Sequence, residues 1–348
     1  MPSHEYYMYR ALFLASKGLP DAMPNPSVGA VIVHKDTIIG EGYTSPFGGP
    51  HAEVNAIASV KNKKLLAEST LYVTLEPCNH YGKTPPCSDL IIENRIPHVV
   101  IGCIDPFKEV AGKGIAKLHK AGIKVTEGIL ENECKESHAR FFTYHEKKRP
   151  YIILKWAQTA DGFIAPDKRD RQHPVWISNI YSRQLTHKWR SEEAAILIGT
   201  RTVLDDNPLL TTRDYYGKNP VRIYLDSEHK ITETSTIVNS EARTICLCAR
   251  APEDPIPHVS YMVIDFANLA AEICRVCYEE RLQSLIIEGG SYTLQQFIDS
   301  GYWDEARVFE GRMLLGNGIA APDLKKISAA FSQKIVTDTL TLYKNDFK

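Results

Sequence analysis

The stretch His51-Ala52-Glu53 decides how the first half of the chain is organised. Two later parts of the sequence, Glu76-Pro77-Cys78 and Cys87, belong to the same predicted site. One histidine and two cysteines supply the nitrogen and sulfur donors that Zn2+ takes in proteins. Three protein ligands leave the fourth position of a tetrahedral zinc open, as in catalytic rather than structural sites. A chance histidine with two core cysteines is the alternative interpretation. We predict that His51, Cys78 and Cys87 bind zinc.

The glutamate two residues after this histidine predicts the chemistry of the site. The pattern H-x-E…P-C-x-x-C is the signature of zinc deaminases, which act on amino-substituted pyrimidine or purine carbons. Zinc lowers the pKa of water towards neutrality. Glu53 is placed to carry a proton from that water to a ring nitrogen and then to the departing ammonia. Eight residues separate Cys78 from Cys87, where the general signature has two.

Three polar residues near these motifs are candidate substrate contacts. Asn25 precedes a proline, so it is either a contact or only a turn residue. His80 and Lys83 lie in the eight-residue loop between the cysteines. Next to the zinc they would hold a phosphate or the ring, and the alternative is that they are exposed loop residues. The sequence leaves these alternatives open.

Strand-like and helix-like segments alternate along the first half. The strand-like ones span residues 28–33, 38–43, 70–75, 98–104 and 123–126. This alternation predicts a three-layer α/β/α sandwich. His51 and Cys87 are each predicted at a helix start, and Glu131 to His145 is predicted to be one helix. Glu146 to Pro150 is predicted to link a first domain, residues 1–146, to a second domain, residues 150–348.

The second half also alternates, with strands predicted at 151–156, 195–198, 221–226, 244–247 and 285–288. The last of these runs into Gly289-Gly290-Ser291, followed by a helix from Tyr292 to Ser300. A glycine turn at a helix start suits the pyrophosphate of a dinucleotide. The strict G-x-G-x-x-G of a standard Rossmann domain is absent, so the glycine turn by itself is a weak signal.

The composition limits the classes of function. A length of 348 residues favours two domains, and a formal net charge of −1 argues against a nucleic acid partner. Nothing near the N-terminus has the basic-then-apolar pattern of a signal peptide, and no apolar run approaches the ~20 residues of a membrane span. We therefore predict a cytoplasmic protein with a small-molecule substrate. Enzymes of this size often form symmetric assemblies, which favours a homo-oligomer, a dimer or a tetramer.

Four further cysteines form two pairs in the second half. Cys274 and Cys277 lie one turn apart on a helix-like stretch, and Cys246 and Cys248 alternate on a strand-like one. Free cysteine behaves as a small buried hydrophobe, which explains both pairs. A second zinc site is the alternative.

The two halves together resemble the bifunctional deaminase–reductase family of riboflavin biosynthesis over nearly the whole chain. The segment from Thr74 to Cys87 resembles that family's deaminase motif. Its long cysteine spacing separates it from the cytidine and tRNA-adenosine deaminases. Trp176-Ile177-Ser178, Thr202 to Pro208 and Glu288-Gly289-Gly290 resemble the reductase motifs. The resemblance implies a cytidine-deaminase-like α/β/α sandwich followed by a dihydrofolate-reductase-like α/β domain.

The resemblance also implies two consecutive reactions. A zinc-dependent deaminase domain would remove the 2-amino group of 2,5-diamino-6-(5-phosphoribosylamino)pyrimidin-4-one. An NADPH-dependent reductase domain would then reduce the ribosyl side chain to a ribityl chain. The residues implied to contact NADPH are Ala157, Trp176, Thr202, Asp206, Ser227, Gly290, Ser291, Tyr292, Thr293, Leu294, Gln295 and Gln296. The residues implied to bind the phosphorylated substrate of the reductase are Arg190, Leu210, Arg213 and Glu288.

Two places depart from the family pattern. Phe107 stands where a second polar residue often follows Asp105-Pro106, so Asp105 and the segment Gly112 to Gly114 remain as candidate substrate contacts. Pro174 stands where a serine often meets substrate. Neither departure touches a predicted metal ligand.

Three other hypotheses remain open at this point. A nucleic-acid-editing deaminase would use the same zinc chemistry, but the near-neutral charge and the second domain argue against it. A structural zinc module fused to a dinucleotide sensor would give Glu53 no purpose. In the third hypothesis only one of the two active sites works.

Overall fold

A computed structural model of the protein describes residues 2–79, 81, 85–106, 111–170, 172–325 and 327–345. The chain divides into two compact units, residues 1–148 and 149–348, and each has its own sheet. Within the described ranges, no helix is long and apolar enough to cross a membrane.

The first unit has a mixed sheet with the strand order β2-β1-β3-β4-β5. The strands are β1 (Gly29–His34), β2 (Thr37–Tyr43), β3 (Thr70–Leu75), β4 (His98–Cys103) and β5 (Lys124–Thr126). The helices are α1 (His4–Ala15), α2 (Ala52–Ser59), α3 (Cys87–Glu93), α4 (Lys113–Lys120), α5 (Glu131–Ser137) and α6 (Ala139–Lys147). Strand β1 is antiparallel to both neighbours, whereas β3, β4 and β5 are parallel.

Two glycines show that helices pack on both faces of this sheet. A Cβ at Gly29 would lie 1.9 Å from the Ala11 carbonyl oxygen of α1, and a Cβ at Gly42 would lie 2.4 Å from the Ala56 nitrogen of α2. Gly42 pairs with Ala30, the residue after Gly29, so the two glycines face opposite sides of the sheet. Helices α1 and α2 therefore cover opposite faces, and the predicted three-layer sandwich is confirmed.

The central strands of this unit are apolar on both faces. Strands β1, β3 and β4 are almost entirely buried along their lengths. Strands covered by helices on both sides read as continuous apolar runs, which is why they were visible in the sequence. The parallel strands β3 and β4 place their carboxyl ends at one edge of the sheet, where the predicted metal ligands follow.

The second unit is built on a nine-stranded sheet with the order β11-β10-β9-β8-β12-β6-β13-β16-β15. The strands are β6 (Tyr151–Gln158), β7 (Phe163–Ala165), β8 (Ala195–Ile198), β9 (Val221–Leu225), β10 (Thr244–Cys248), β11 (Val259–Val263), β12 (Ser284–Ile287), β13 (Glu305–Glu310), β14 (Ile319–Ala320), β15 (Ala329–Ile335) and β16 (Asp338–Lys344). The helices are α7 (Ile180–Glu192), α8 (Thr200–Asp206), α9 (Leu269–Glu279) and α10 (Ser291–Ser300).

Seven neighbouring strands of the large sheet, from β11 to β13, are parallel. The last two strands, β16 and β15, form an antiparallel hairpin at the sheet edge. Strands β7 and β14 pair separately. The α/β architecture predicted for this half is confirmed. The cysteines of the second half are buried, Cys246 and Cys248 in β10 and Cys274 and Cys277 in α9.

The prediction of one helix from Glu131 to His145 is wrong. Helix α5 ends at Ser137, α6 begins at Ala139, and His138 between them has a non-helical backbone. The buried His138 places its Nε2 atom 3.1 Å from the Thr74 Oγ1 atom of β3. This long-range polar contact marks the point at which the helix is broken.

Candidate active sites

Three predicted metal ligands come together at the carboxyl end of β3. The His51 Nδ1 atom lies 3.7 Å from the Cys78 Sγ atom and 3.3 Å from the Cys87 Sγ atom. The ligand atoms of the three residues all lie within 4.8 Å of one another. Donors around a tetrahedral zinc with bonds of about 2.0–2.3 Å are separated by roughly 3.5–3.8 Å. The donor types and their spacing therefore fit Zn2+.

Local structure explains why these three side chains meet. His51 is the residue before the first turn of α2, and Cys87 begins α3. The Asn55 side chain donates hydrogen bonds to the Tyr43 carbonyl at 2.8 Å and to the Ser45 Oγ atom at 2.9 Å, which ties the preceding loop to α2. Two helix starts thus face the end of β3.

The two thiols of this cluster are electrostatically linked. The Cys87 backbone N–H donates to the Cys78 sulfur at 3.3 Å. Hydrogen bonding from Cys87 and then from His51 lowers the pKa of the Cys78 thiol, while the hydrogen bond with Cys78 and burial raise the pKa of the Cys87 thiol. A thiolate is the form in which cysteine binds a metal. The cluster is therefore predisposed to hold a cation.

Glu53 lies beside the ligands in the first turn of α2, and only 4% of its surface is exposed. Burial raises the pKa of the Glu53 carboxyl to about 7, and the neighbouring Cys78 adds to the rise. A carboxyl group with a pKa near neutrality can both accept and release a proton at neutral pH. Glu53 is therefore suited to acid/base work.

A second cluster of buried charges lies in the second unit. The Arg190 guanidinium donates to both carboxylate oxygens of Glu288, at 2.8 and 2.7 Å, and the Lys155 Nζ atom lies 3.6 Å from the same carboxylate. Burial opposes ionisation, yet Arg190 and then Lys155 lower the pKa of the Glu288 carboxyl to about 2. Burial lowers the pKa of the Lys155 ammonium. Two cations therefore share one carboxylate.

Other predicted substrate contacts of the second unit surround this cluster. The Thr211 carbonyl accepts a hydrogen bond from Arg190 at 3.4 Å, and Leu210 before it is buried. The exposed Arg213 donates its backbone N–H to His187 Nδ1 at 3.4 Å. Burial, and then Arg190, lower the pKa of His187 to about 4. The structure thus brings Arg190, Leu210, Arg213 and Glu288 into one region.

The predicted glycine turn lies at the ends of two neighbouring parallel strands. Gly290 has a φ of 69° and precedes α10, which begins at Ser291 rather than at the predicted Tyr292. A Cβ at Gly289 would lie 3.3 Å from the Thr202 side chain of α8. The turn after β12 and the start of α8 after β8 therefore adjoin, which groups Thr202 with the predicted phosphate-binding turn.

The remaining predicted cofactor contacts have varied surroundings. Asp206 forms an ion pair with Arg169, and Trp176 is 45% exposed with the Arg183 guanidinium 4.3 Å from its ring centroid. Ala157 lies in β6 and Ser227 follows β9. On α10, the exposure is 0% for Leu294, whereas Ser291, Tyr292, Gln295 and Gln296 are partly or fully exposed. Leu294 therefore faces the core and offers a ligand only its backbone.

Family comparisons match each unit to a different protein family. Residues 1–103 match the cytidine and deoxycytidylate deaminase zinc-binding region, and residues 150–342 match the RibD C-terminal domain. The riboflavin biosynthesis protein RibD of Aquifex aeolicus is 40% identical over 335 residues, covering 94% of this chain and 92% of that protein. The chain belongs to the RibD family. The RibD protein of Escherichia coli is 34% identical, with 94% of this chain and 93% of that protein covered.

Solved structures support the same family. A diaminohydroxyphosphoribosylaminopyrimidine deaminase/5-amino-6-(5-phosphoribosylamino)uracil reductase from Thermotoga maritima is 39% identical, with a TM-score of 0.91 over 98% of both chains. One crystal form of Acinetobacter baumannii RibD is 29% identical, with a TM-score of 0.87 over 98% of both chains. The cytidine-deaminase-like first domain and the dihydrofolate-reductase-like second domain expected for a RibD protein are confirmed.

Membership of the RibD family also settles the general function. The protein is a bifunctional riboflavin biosynthesis enzyme with a deaminase and a reductase activity, and it acts on a small molecule. Its cofactors are Zn2+ in the deaminase domain and NADPH in the reductase domain. The resemblance seen in the sequence is confirmed, and an editing deaminase and a structural zinc module are both excluded as descriptions of the whole chain.

Some predicted substrate contacts of the deaminase stay predictions, and two features of the sites were missed in the sequence. His80 and Lys83 lie outside the described residues, and Asn25 lies in the turn before β1, with its N–H donating to the Ala22 carbonyl. Sequence reasoning missed Lys155, whose only signal was a lysine inside a buried strand. It also missed the contacts of Glu76, whose carboxylate accepts hydrogen bonds from backbone far along the chain. A buried charge in an apolar run was the signal for the lysine.

Proposed function

We propose that the first domain, residues 1–146, removes the 2-amino group of 2,5-diamino-6-(5-phosphoribosylamino)pyrimidin-4-one. The second domain, residues 150–348, then reduces the ribosylamino side chain of the product to ribitylamino. The observation that carries the proposal is the cluster of His51, Cys78 and Cys87 with the buried Glu53 beside it. The printed name of the Thermotoga maritima relative gives the substrate class. The consecutive order follows because the second activity uses the uracil that the first one makes.

In the deaminase domain, His51, Cys78 and Cys87 would hold the zinc. When bound, zinc supplies Lewis acidity and lowers the pKa of water. Glu53 would accept a proton from the attacking water and deliver it to the ring nitrogen. It would then take the remaining proton from the hydroxyl group added to the ring carbon and pass it to the amino group, which leaves as ammonia while the carbonyl forms. Its pKa of about 7 lets one carboxyl group serve as base and then as acid. Asn25, His80, Lys83 and Asp105 are the proposed substrate contacts.

In the reductase domain, the glycine turn before α10 would hold the cofactor phosphates on backbone N–H groups at the helix start. Ala157, Trp176, Thr202, Asp206 and Ser227, with residues 290–296, are the proposed NADPH contacts. The best support for this cofactor site is the close approach of Gly289 to Thr202, two of the residues that would adjoin the cofactor. Leu294 would contribute through its backbone, because its side chain is fully buried.

Arg190, Leu210, Arg213 and Glu288 are the proposed substrate contacts of the reductase. The structure suggests different tasks for the two arginines. Arg190 is buried and already shares both oxygens of Glu288, so its forked donors are committed inside the domain. Arg213 is exposed, so it is the better candidate to pair with the substrate phosphate. Arg190 would then orient Glu288 towards the ribosyl chain.

We also propose that the enzyme is cytoplasmic and forms a homo-oligomer, a dimer or a tetramer. The cytoplasmic location is supported by membership of a family of biosynthetic enzymes that act on a small molecule. The homo-oligomer is supported by the frequency of symmetric assemblies among enzymes of this size. Sedimentation equilibrium of the zinc-loaded protein tests the second statement, and a mass of one chain, 39.1 kDa, would contradict it.

One experiment tests the two activities separately. The protein is incubated with the aminopyrimidine, with and without NADPH, and both ammonia and NADPH oxidation are followed. We expect ammonia in both reactions and NADPH oxidation only after deamination. Ammonia released from an RNA oligonucleotide, with none from the aminopyrimidine, would overturn the proposed substrate. Ammonia without NADPH oxidation would show that the reductase site is inactive.

A further inference from the structure

Glu76 precedes Pro77 and Cys78 in the deaminase motif, but its carboxylate contacts a different segment. One oxygen, Oε2, accepts the backbone N–H of Gly112 at 2.9 Å and that of Asp105 at 3.4 Å. Asp105 follows β4, and Gly112 precedes α4. A single buried oxygen thus joins both ends of the connection between β4 and α4, and only 3% of Glu76 is exposed.

The other oxygen of Glu76 fixes the start of α4. Oε1 accepts the backbone N–H of Gly114 at 2.9 Å and that of Ile115 at 3.3 Å. A negative charge is stabilised at a helix start, where N–H groups lack partners within the helix. A Cβ at Gly114 would lie 2.1 Å from the Pro77 carbonyl oxygen. The first turn of α4 therefore rests directly on the backbone that leads to Cys78.

We propose that Glu76 is a positioning residue for the deaminase site. Its carboxylate holds the connection between β4 and α4, and with it Asp105, against the end of β3 that carries Cys78. The inference rests on the proposed deaminase function, in which Asp105 contacts the substrate. Glu76 acts through these backbone contacts and is assigned no contact with the metal or the reacting ring. It acts by fixing the position of Asp105 relative to Cys78.

The substitution Glu76→Gln tests this role with little change of shape. The glutamine side chain keeps one acceptor oxygen and has an NH2 group in place of the other. The NH2 group cannot accept a hydrogen bond, so the two backbone N–H groups that bonded to that oxygen lose their acceptor. Without these hydrogen bonds the segment that carries Asp105 is held less firmly, so the substrate binds more weakly. Because hydrogen bonds to a charged group are strong, we expect the KM of deamination to rise roughly 10- to 100-fold. We expect kcat within about threefold of the wild-type value, because Glu53 and the metal ligands are untouched.

Two readouts separate positioning from general damage. The zinc content of Glu76→Gln should stay at the wild-type value, and its reductase activity on the deaminated product should be unchanged. Amide hydrogen exchange should accelerate at Gly112, Gly114 and Ile115, whose N–H groups lose their acceptor. The matched control is Glu93→Gln, the same change at an exposed glutamate of α3, which should alter none of these quantities.

A wild-type KM in Glu76→Gln would overturn the inference, and so would loss of zinc, since Glu76 would then act on the metal set. If Glu76→Gln does not fold, Gly114→Ala replaces it, because the added Cβ pushes the first turn of α4 from Pro77 while the carboxylate stays. The same rise in KM supports positioning, and an unchanged KM refutes it. A wild-type enzyme that releases no ammonia would instead refute the proposed function.

Discussion

The two candidate sites each contain a buried glutamate near the end of a parallel strand, yet the two carboxyl groups are tuned in opposite directions. Glu53 in the deaminase domain is buried beside Cys78, Cys87 and His51, and burial raises its pKa to about 7. Glu288 in the reductase domain is flanked by Arg190 and Lys155, which lower its pKa to about 2. The same side chain therefore suits proton transfer in one domain and fixed negative charge in the other.

The largest effect is expected when the carboxyl group of Glu53, which would carry protons in the deaminase, is replaced by an amide. We expect Glu53→Gln to lower kcat of deamination by about 10²- to 10⁴-fold, the usual contribution of a general acid/base. Zinc content, measured by atomic emission, should remain at the wild-type value, and the reductase of the same chain should keep its activity. Unchanged deamination with zinc still bound would refute the proposed role of Glu53.

The matching change in the reductase should act on stability as well as on activity. Glu288→Gln leaves Arg190 and Lys155 without their shared partner, and breaking a buried ion pair costs about 3–5 kcal/mol. Because all four tryptophans belong to the second unit, tryptophan fluorescence during urea unfolding reports on that unit alone.

The variant Glu305→Gln serves as the control for Glu288→Gln. Glu305 is also buried and is paired with Arg307 and Lys344 in the same sheet, outside the proposed site. We expect both variants to lose stability and only Glu288→Gln to lose reductase activity. Equal losses of activity would show that Glu288 has no special role in the reaction.

A smaller effect should appear when the wild-type protein is acidified. The carboxyls of Glu288 and Glu305 have pKa values lowered from 4.5 to about 2 in the folded state. Their contribution to the free energy of unfolding is therefore present above the unfolded pKa of 4.5, and it is lost as the pH falls towards 2. Urea unfolding followed by tryptophan fluorescence between pH 5 and pH 2.5 should show this loss, with a weaker slope in Glu288→Gln. Equal slopes in the two proteins would contradict the ion-pair account.

The smallest expected effect concerns the loop between the two cysteines. Lys83→Met should raise the KM of deamination about tenfold, the loss of one charge-assisted contact to a phosphate or ring. Zinc content should not change, since Lys83 supplies no ligand. Lys61→Met, at an exposed lysine of the same domain, is the control and should leave the KM unaltered. An equal KM in the two variants would place Lys83 outside the substrate site.

The zinc cluster could be predicted because each ligand lies in a short motif at a strand or helix end. His51 directly precedes a helix, Cys78 follows shortly after a strand, and Cys87 begins another helix, so local patterns placed all three. The break at His138 could not be predicted, because its cause is a contact with Thr74, 64 residues away. Lys155 was hidden for the same reason: its partner, Glu288, directly follows the neighbouring strand β12, far along the chain.

The reductase site was accessible to the sequence only through family resemblance. A Gly-Gly turn and scattered arginines carry little local information, and the pairing of Arg190 with Glu288 depends on how α7 packs against the end of β12. The structure therefore adds most where charges meet across long sequence separations. It adds least at the zinc motif.

The close approach of α1 and α2 to the sheet has a consequence for anyone redesigning the deaminase. Gly29 and Gly42 leave no room for a single methyl group between strand and helix backbones. The distance from the sheet to α2, which follows His51 and carries Glu53, is therefore set by backbone rather than by adjustable side chains. Libraries aimed at new aminopyrimidine or purine substrates should keep both glycines and vary the connecting loops.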